Sequence, residues 1–321
     1  MSDPSPVILD ATAVKALLPK VDTLAIMRSL FLELAEGTAV QPPQSLSLFP
    51  EGKGDFISYL GTLARKGVFG VKLSPYIVTA DRPIITAWTT LMSASTGQPL
   101  ALCDAGLLTV ERTAGTTALA VAELAPQGAR RLAIIGSGPI AEAHWRLVAG
   151  LREWETVRAW SPRLHQKASS GTGWISSDPR LQRADSAEDA CADADVVMLC
   201  TSSGTPVIET KALRPSALVT SISTNVAQAH EVEPGFLAQA QVYCDYKATT
   251  PNSAGEMVLA TVAGTWSADR ISGDLAELVA GRCPRPSGDA PVFFRSIGLG
   301  LEDIAMAEAT LRASETLKAK E

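Results

Sequence analysis

The chain is poor in the residues that build stapled or metal-bound folds. Its 321 residues hold five cysteines and three histidines. Cys103, Cys191, Cys200, Cys244 and Cys283 are odd in number, far apart and never in a C-x-x-C pair. That argues against a disulfide framework or a zinc site and reads as reduced thiols of a cytoplasmic protein. No His/Cys/carboxylate cluster with metal-ligand spacing is visible, so no metal is expected. No run approaches the ~18 apolar residues of a membrane span. The opening MSDPSPVILD lacks a basic stretch leading into an apolar one, so a signal peptide is not expected. No polybasic run appears, and 28 Lys plus Arg against 34 Asp plus Glu give a net charge of −6. A nucleic-acid partner is therefore unsupported. The absence of G-x-S-x-G removes the usual sign of an esterase.

What the chain has is apolar material, 46% of its residues, in a length suited to about two domains. Two helices are expected first, Ala11 to Leu18 and Thr23 to Glu36, the second capped by Asp22 and stopped by Gly37. Val40 to Pro50 is proline-rich and reads as extended or edge strand. Asp55 to Leu60, Val68 to Leu73, Ile84 to Met92 and Leu100 to Cys103 follow as strands in direct succession, which suggests an antiparallel or mixed sheet. The rhythm changes at the Ala-rich helix Thr109 to Ala125. Strands at Leu132–Ile135, Thr156–Trp160, Val196–Cys200, Ala217–Ile222 and Gln241–Cys244 then alternate with helical segments. That alternation means βαβ units and a doubly wound parallel sheet. A helix from Leu301 to Lys320 closes the chain.

The strongest local signal is RRLAIIGSGPIAEAHW, from Arg130 to Trp145. An apolar strand runs into Gly136-Ser137-Gly138, then Pro139 and Ile140, and Ala141 takes the third small position of G-x-G-x-x-G/A. Gly136 allows the tight turn, Gly138 lets backbone approach a pyrophosphate, and the helix N-terminus offers free N–H groups. An ordinary glycine turn is the bland alternative, but the strand–turn–helix context favours a dinucleotide site. The next strand ends in Ser161, with Arg163 two residues on, where an NAD-binding strand would carry a carboxylate. A hydroxyl and a guanidinium suit a 2′-phosphate, so NADP is expected, with NAD as the alternative.

Lys72 lies inside the apolar strand VFGVKLSPY. It reads equally well as a buried functional lysine or as an outward edge-strand lysine. Arg112 heads a helix, an unfavourable place for a cation, so it needs either a bound anion or an acidic neighbour. His230 is the one histidine near the proposed site and reads as a structural hydrogen-bonding residue.

Several blocks together make the chain resemble the ornithine cyclodeaminase/μ-crystallin family over nearly its whole length. They are Gly70-Val71-Lys72, Glu111-Arg112-Thr113-Ala114, Gly136-Ser137-Gly138, and Val292 to Gly298 followed by Glu302-Asp303. The resemblance implies a Rossmann domain, residues 116–300, inserted into an α+β substrate-binding and dimerisation domain, residues 1–115 with 301–321. It implies a homodimer acting on amino, oxo or imino acids. Lys72 and Arg112 match the family's substrate-handling pair, joined by Gln44 and Ile297. Thr86, Arg112, Thr113, Ser137, Thr201, Ile222 and Ser296 match its cofactor contacts.

Two positions depart from the family pattern. Asn225 stands where cyclodeaminases carry an aspartate, and an amide cannot take a proton near neutral pH. Gln44 stands where an arginine usually helps hold the carboxylate. The expected activity is NAD(P)-dependent reduction of an imine, formed from a 2-oxo acid and ammonia or supplied as a cyclic ketimine, and its reverse. The QPPQ segment and Asn225 most resemble dehydrogenases of basic amino acids such as arginine. Ornithine or lysine cyclodeamination is the alternative within the family, and a non-catalytic NADPH- or ligand-binding protein like μ-crystallin the alternative outside enzymes. A guanidinium pocket needs carboxylates, for which Glu51, Asp55 and Asp81 are the candidates.

Overall fold

The computed structural model describes residues 5–165, 173–224 and 226–319. Two compact units emerge, Met1–Arg112 with Leu299–Glu321, and Thr113–Gly298. The chain opens with β1 (Val7–Leu9), α1 (Ala11–Leu17) and α2 (Thr23–Ala35). Asp10 accepts from Ala13 N and Asp22 from Ala25 N, so both helices start on a carboxylate cap. Met27, Leu30 and Phe31 bury one face of α2, and Gly37 leaves it at φ +72°.

Seven strands follow: β2 (Ala39–Val40), β3 (Ser45–Leu48), β4 (Gly54–Leu63), β5 (Val68–Ile77), β6 (Ile84–Ile85), β7 (Trp88–Ser93) and β8 (Pro99–Asp104). They build, with β1, a mixed sheet ordered β1-β8-β7-β5-β4-β2, with β3 on β4 and β6 on β5. The expected single strand Ile84–Met92 is in fact two. Leu73 pairs with Trp88 and Tyr76 with Ile85, and Pro75 lies between those pairs. Proline has no N–H to give the ladder, so the partner strand breaks opposite it. α3 (Gly106–Leu124) then carries the chain from the first unit into the second.

The second unit contains β9 (Arg131–Ile135), α4 (Pro139–Val148), β10 (Thr156–Trp160), β11 (Leu181–Arg183), α5 (Ala187–Cys191), β12 (Val196–Leu199), β13 (Leu218–Ser221), β14 (Gln241–Cys244), α6 (Gly255–Val262), β15 (Ile271–Asp274), α7 (Leu275–Val279) and β16 (Val292–Arg295). All eight strands are parallel, ordered β11-β10-β9-β12-β13-β16-β14-β15. β9 and β12 are neighbours although β10 and β11 separate them in the chain. That is the switch point of a doubly wound sheet, where ligands bind at the carboxyl ends of the strands.

α8 (Gly300–Lys318) returns the chain to the first unit. Its first turn sits hard against β4. A Cβ on Gly300 would be 2.2 Å from the Leu60 carbonyl oxygen, and one on Gly61 would be 3.0 Å from Leu301 Cα. Glycine at both places allows the approach. On the sheet face that α8 covers, Leu63, Leu91, Ala101 and Lys72 are buried. Strand alternation sends Leu60, Phe69 and Leu73 to the opposite face, where they are exposed.

Candidate active site

Lys72 lies in the middle of β5, on the face toward α8, and is 1% exposed. The antiparallel register places Tyr59 of β4 and Thr89 of β7 on either side of it. The Nζ of Lys72 lies 4.1 Å from the centroid of the Tyr59 ring. It donates to Asp303 at 3.0 Å, with the second carboxylate oxygen at 2.9 Å, and reaches Thr109 Oγ1 at 3.5 Å. The outward edge-strand reading of this lysine is therefore set aside.

Asp303 and Glu302 occupy the first turn of α8, where the helix dipole favours negative charge. Both are buried, and both take Arg112 from α3: Nη1 to Glu302 at 3.1 Å and Nε to Asp303 at 3.3 Å. Glu302 also accepts from Leu299 N at 3.3 Å, and Gln41 Oε1 accepts from Leu301 N at 3.0 Å. Arg112 thus has acidic neighbours from α8. Glu302 and Asp303 were read in the sequence only as part of a family-like block, without a role, and Gln41 was not singled out. Gln44 is half-buried three residues beyond Gln41.

Desolvation pushes the Lys72 ammonium down to about 8; Asp303 opposes that shift and Arg112 adds to it. Burial also works against the charge on Arg112, but Asp303 and Glu302 outweigh it, so the guanidinium holds its proton more firmly than usual. The result is a firmly protonated guanidinium beside an ammonium whose proton burial makes easier to release. Next to them, the Thr89 hydroxyl is wholly buried with no hydrogen-bond partner. An unsatisfied buried hydroxyl beside an ammonium is a place for a polar ligand atom or a water.

In the second unit, Gly136 has φ +137°, and a Cβ there would lie 2.5 Å from the Cys200 carbonyl oxygen. A Cβ on Gly138 would meet no heavy atom within 4 Å, so open space lies ahead of the first turn of α4. Pro139 takes the first helical position, Ile140 follows, and Ala141 is buried. This loop fits the pyrophosphate of a dinucleotide: open space, backbone N–H groups and a positive helix end. Ser137 is buried; its hydroxyl accepts from Ser161 Oγ at 2.7 Å and its carbonyl from Trp174 Nε1 at 3.3 Å. Ser161 is buried at the end of β10, and Arg163 is exposed on the turn that follows. Trp174 was missed in the sequence because it lies far along the chain from the glycine turn.

Two buried carboxylates fasten the carboxyl ends of the other strands. Glu231 accepts from Thr201 N and Oγ1 at 3.0 and 2.7 Å, from Ser221 Oγ at 2.8 Å, and from Ile222 N and Ser223 N at 2.9 and 3.1 Å. Asp245 accepts from Ser296 Oγ, Ile297 N and Gly298 N at 3.0, 2.7 and 3.0 Å, and from the Thr250 hydroxyl. Thr201, Ile222, Ser296 and Ile297 are therefore held by two acids that the sequence reading passed over. Arg295 is fully buried against Glu256 at 2.8 Å and donates to Ser223 O at 2.5 Å and Ala229 O at 3.3 Å. Asn225, between those two anchor points in the chain, lies outside the described residues.

Thr86 is exposed between β6 and β7, and Thr113 is buried in α3. His144 is buried, its Nδ1 donating to Ile140 O at 2.7 Å and its Nε2 meeting Thr117 Oγ1 at 3.0 Å, and desolvation pushes it down to about 4. It is a neutral structural histidine. His230 bonds Gln228 O at 2.8 Å. Among the described residues, no group of three or more His, Cys, Asp or Glu side chains is placed to hold a metal ion, and no helix is long and apolar enough to cross a membrane.

Residues 5–315 match the ornithine cyclodeaminase/mu-crystallin family. The chain is 54% identical to the NAD(P)H-dependent anabolic L-arginine dehydrogenase of Pseudomonas aeruginosa, across 97% of this chain and 98% of that protein. It is 31% identical to the iminosuccinate reductase of Paracoccus denitrificans, across 70% of this chain and 69% of that one. Its fold matches the Thermococcus litoralis Δ1-pyrroline-2-carboxylate reductase, solved with NADH and L-proline, with a TM-score of 0.87 at 22% identity over 97% and 98% of the two chains.

The buried cation pair makes a direct prediction. In NMR spectra of protein carrying ¹³C-labelled lysine, one Cε signal, absent from Lys72→Met, titrates with a midpoint near pH 8. Asp303→Asn moves that midpoint lower, because it removes the charge that opposes desolvation. A midpoint near the ordinary lysine value of about 10.4 would contradict this environment.

Proposed function

The chain belongs to the ornithine cyclodeaminase/mu-crystallin family, and from that premise we propose that it is an NAD(P)H-dependent oxidoreductase that interconverts a 2-imino acid and an L-amino acid. The first unit holds the acid and the second the dinucleotide. The observation that carries this reading is the buried pair Lys72 and Arg112, each fixed by Asp303 on the face of one sheet. Fixed cations in a desolvated place suit a small carboxylate far better than an exposed pair would.

The bound nicotinamide supplies or accepts the hydride. Arg112, charged at every accessible pH, orients the substrate carboxylate. Lys72 is the group that moves a proton. In the reducing direction its ammonium Nζ donates to the imine nitrogen. In the oxidising direction its neutral Nζ takes a proton from the substrate ammonium. A value near 8 suits both tasks, since the ideal acid–base group titrates close to working pH. Asn225, whose amide is neither an acid nor a base near neutral pH, orients substrate or water by hydrogen bonds. That favours net hydride transfer over cyclising deamination. A basic substrate such as arginine is supported by the strong likeness to the Pseudomonas aeruginosa dehydrogenase. Arg163, exposed at the end of β10 where no carboxylate stands, favours a 2′-phosphate and hence NADPH, with NADH also accepted.

We assign the chain a cytoplasmic setting from its five unpaired thiols. A homodimer is supported by the sheet face away from α8, where Ile8, Leu60, Phe69, Leu73, Ile77 and Ile84 are exposed together. On this reading the wild-type protein sediments as a dimer and Leu73→Glu as a monomer; a monomeric wild type would refute it.

The activity is tested by following nicotinamide absorbance with the 2-oxo acid of arginine plus ammonia, and with arginine in reverse. Lys72→Ala lowers kcat/KM by about 10²- to 10³-fold. Oxidation rises as pH passes through about 8 and reduction falls there, because the two directions use opposite protonation states of Lys72. Arg163→Ala lowers the NADPH:NADH preference. Ornithine consumed without net change in cofactor would indicate a cyclodeaminase, and no turnover of any amino or oxo acid would leave ligand binding alone.

A further inference from the structure

Resting on that reading, we propose that Asp55 is the residue that selects a substrate with a cationic side chain, by receiving its guanidinium at the far end of the same sheet face that carries Lys72. Three carboxylates lie near this part of the chain. Glu51 is 75% exposed at its side chain and spends its charge on Lys53 at 2.7 Å. Asp81 is exposed in the turn between β5 and β6. Asp55 alone of the three stands in the sheet, half-buried in β4.

The pleat decides where it faces. Asp55, Ile57, Tyr59, Gly61 and Leu63 alternate onto one face of β4, and Gly61 and Leu63 are the residues that face carries beneath α8. The register to β5 then sets three successive rows: Tyr59 opposite Lys72, Ile57 opposite Ser74, and Asp55 opposite Tyr76. The Tyr59 phenol, raised by burial, also responds to the charges of Arg112, Asp303 and Asp55, so both ends of the strip act on one hydroxyl.

Length fits. Four residues of strand separate the Lys72 row from the Asp55 row by about 13 Å. Extended arginine spans roughly 7 Å from its carboxyl carbon to its guanidinium carbon at ordinary bond lengths. Charge-assisted bonds of about 2.8 Å at each end close the remainder. Chemistry fits as well. Lys72 and Arg112 meet the carboxylate, and Ile57 in the middle row, with Leu46 across from it on β3, meets the aliphatic stem. Asp55 meets the guanidinium, with the Tyr76 ring opposite for stacking. Leu46 and Tyr76 are both exposed, as an entry to a ligand strip requires. A shorter diamino acid anchored at the same carboxylate end stops short of Asp55.

The test compares arginine with citrulline, its neutral isostere, in wild type, Asp55→Asn and Asp55→Glu. The kcat/KM ratio of arginine to citrulline falls at least about 30-fold in Asp55→Asn, as loss of a charge-assisted bond predicts. Asp55→Glu recovers part of it. An unchanged ratio, whether both substrates fall together or neither does, overturns the proposal. Calorimetric binding keeps the two readings distinguishable. If the wild type turns over neither compound, the oxidoreductase reading fails, and the role of Asp55 is still decided by Kd. Arginine then binds about 10-fold or more weaker to Asp55→Asn with citrulline as reference, or the proposal is wrong.

Discussion

The first unit is organised around an ammonium taken out of water. Burying a lysine costs several kcal/mol unless a partner and hydrogen bonds compensate it. Here the compensation comes from Asp303, and Asp303 is in place only because α8 begins where it does. That start depends on Gly61 and Gly300, which let the helix close on β4, and on Gln41, which accepts from Leu301 N. Arg112 shares the same carboxylate from the other side. Close packing of a helix on a sheet thereby becomes a chemical property: one cation that never loses its proton and one that does so near pH 8.

The second unit applies the same physics with opposite sign. Its parallel strands end in backbone N–H groups and hydroxyls that a bare loop would leave unsatisfied. Glu231 and Asp245 collect these donors, and the buried Arg295 collects carbonyls, so the carboxyl edge of the sheet is tied down by the chain itself. A preorganised edge is what a dinucleotide needs, since ordering loops at the moment of binding would cost affinity. The glycine turn supplies the remaining requirement, backbone exposed to open space at the first turn of α4.

Much of this was legible in the chain. The period of α2, its Asp22 cap and Gly37 stop, and the β9–turn–α4 passage are local features with local signatures, and they occur where expected. β11 and β15 went unread as strands because LQR and ISGD carry no apolar run, unlike the equally short β12, and β16 was read only as part of a family-like block. The break between β6 and β7 needed knowledge of which strand lies opposite Pro75, a tertiary fact. At the site, Lys72 and Arg112 stood out as charges in apolar or unfavourable places. That Glu302 and Asp303, 190 or more residues away, are their partners did not, because a carboxylate in a helix's first turn is ordinary until the fold brings a cation to it. Glu231 and Asp245 were hidden because the backbone N–H groups and hydroxyls they collect come from other strand ends, which only the fold brings to them.

The proposed activity requires that the Lys72–Arg112 pair grip a carboxylate. Comparing argininamide with arginine as substrates at pH 7 addresses this directly, since the amide removes that one charge and keeps the side chain. In the wild type kcat/KM falls by at least about 10²-fold for the amide, and Arg112→Gln abolishes most of the difference between the two compounds. Equal turnover of amide and acid by the wild-type protein would contradict it.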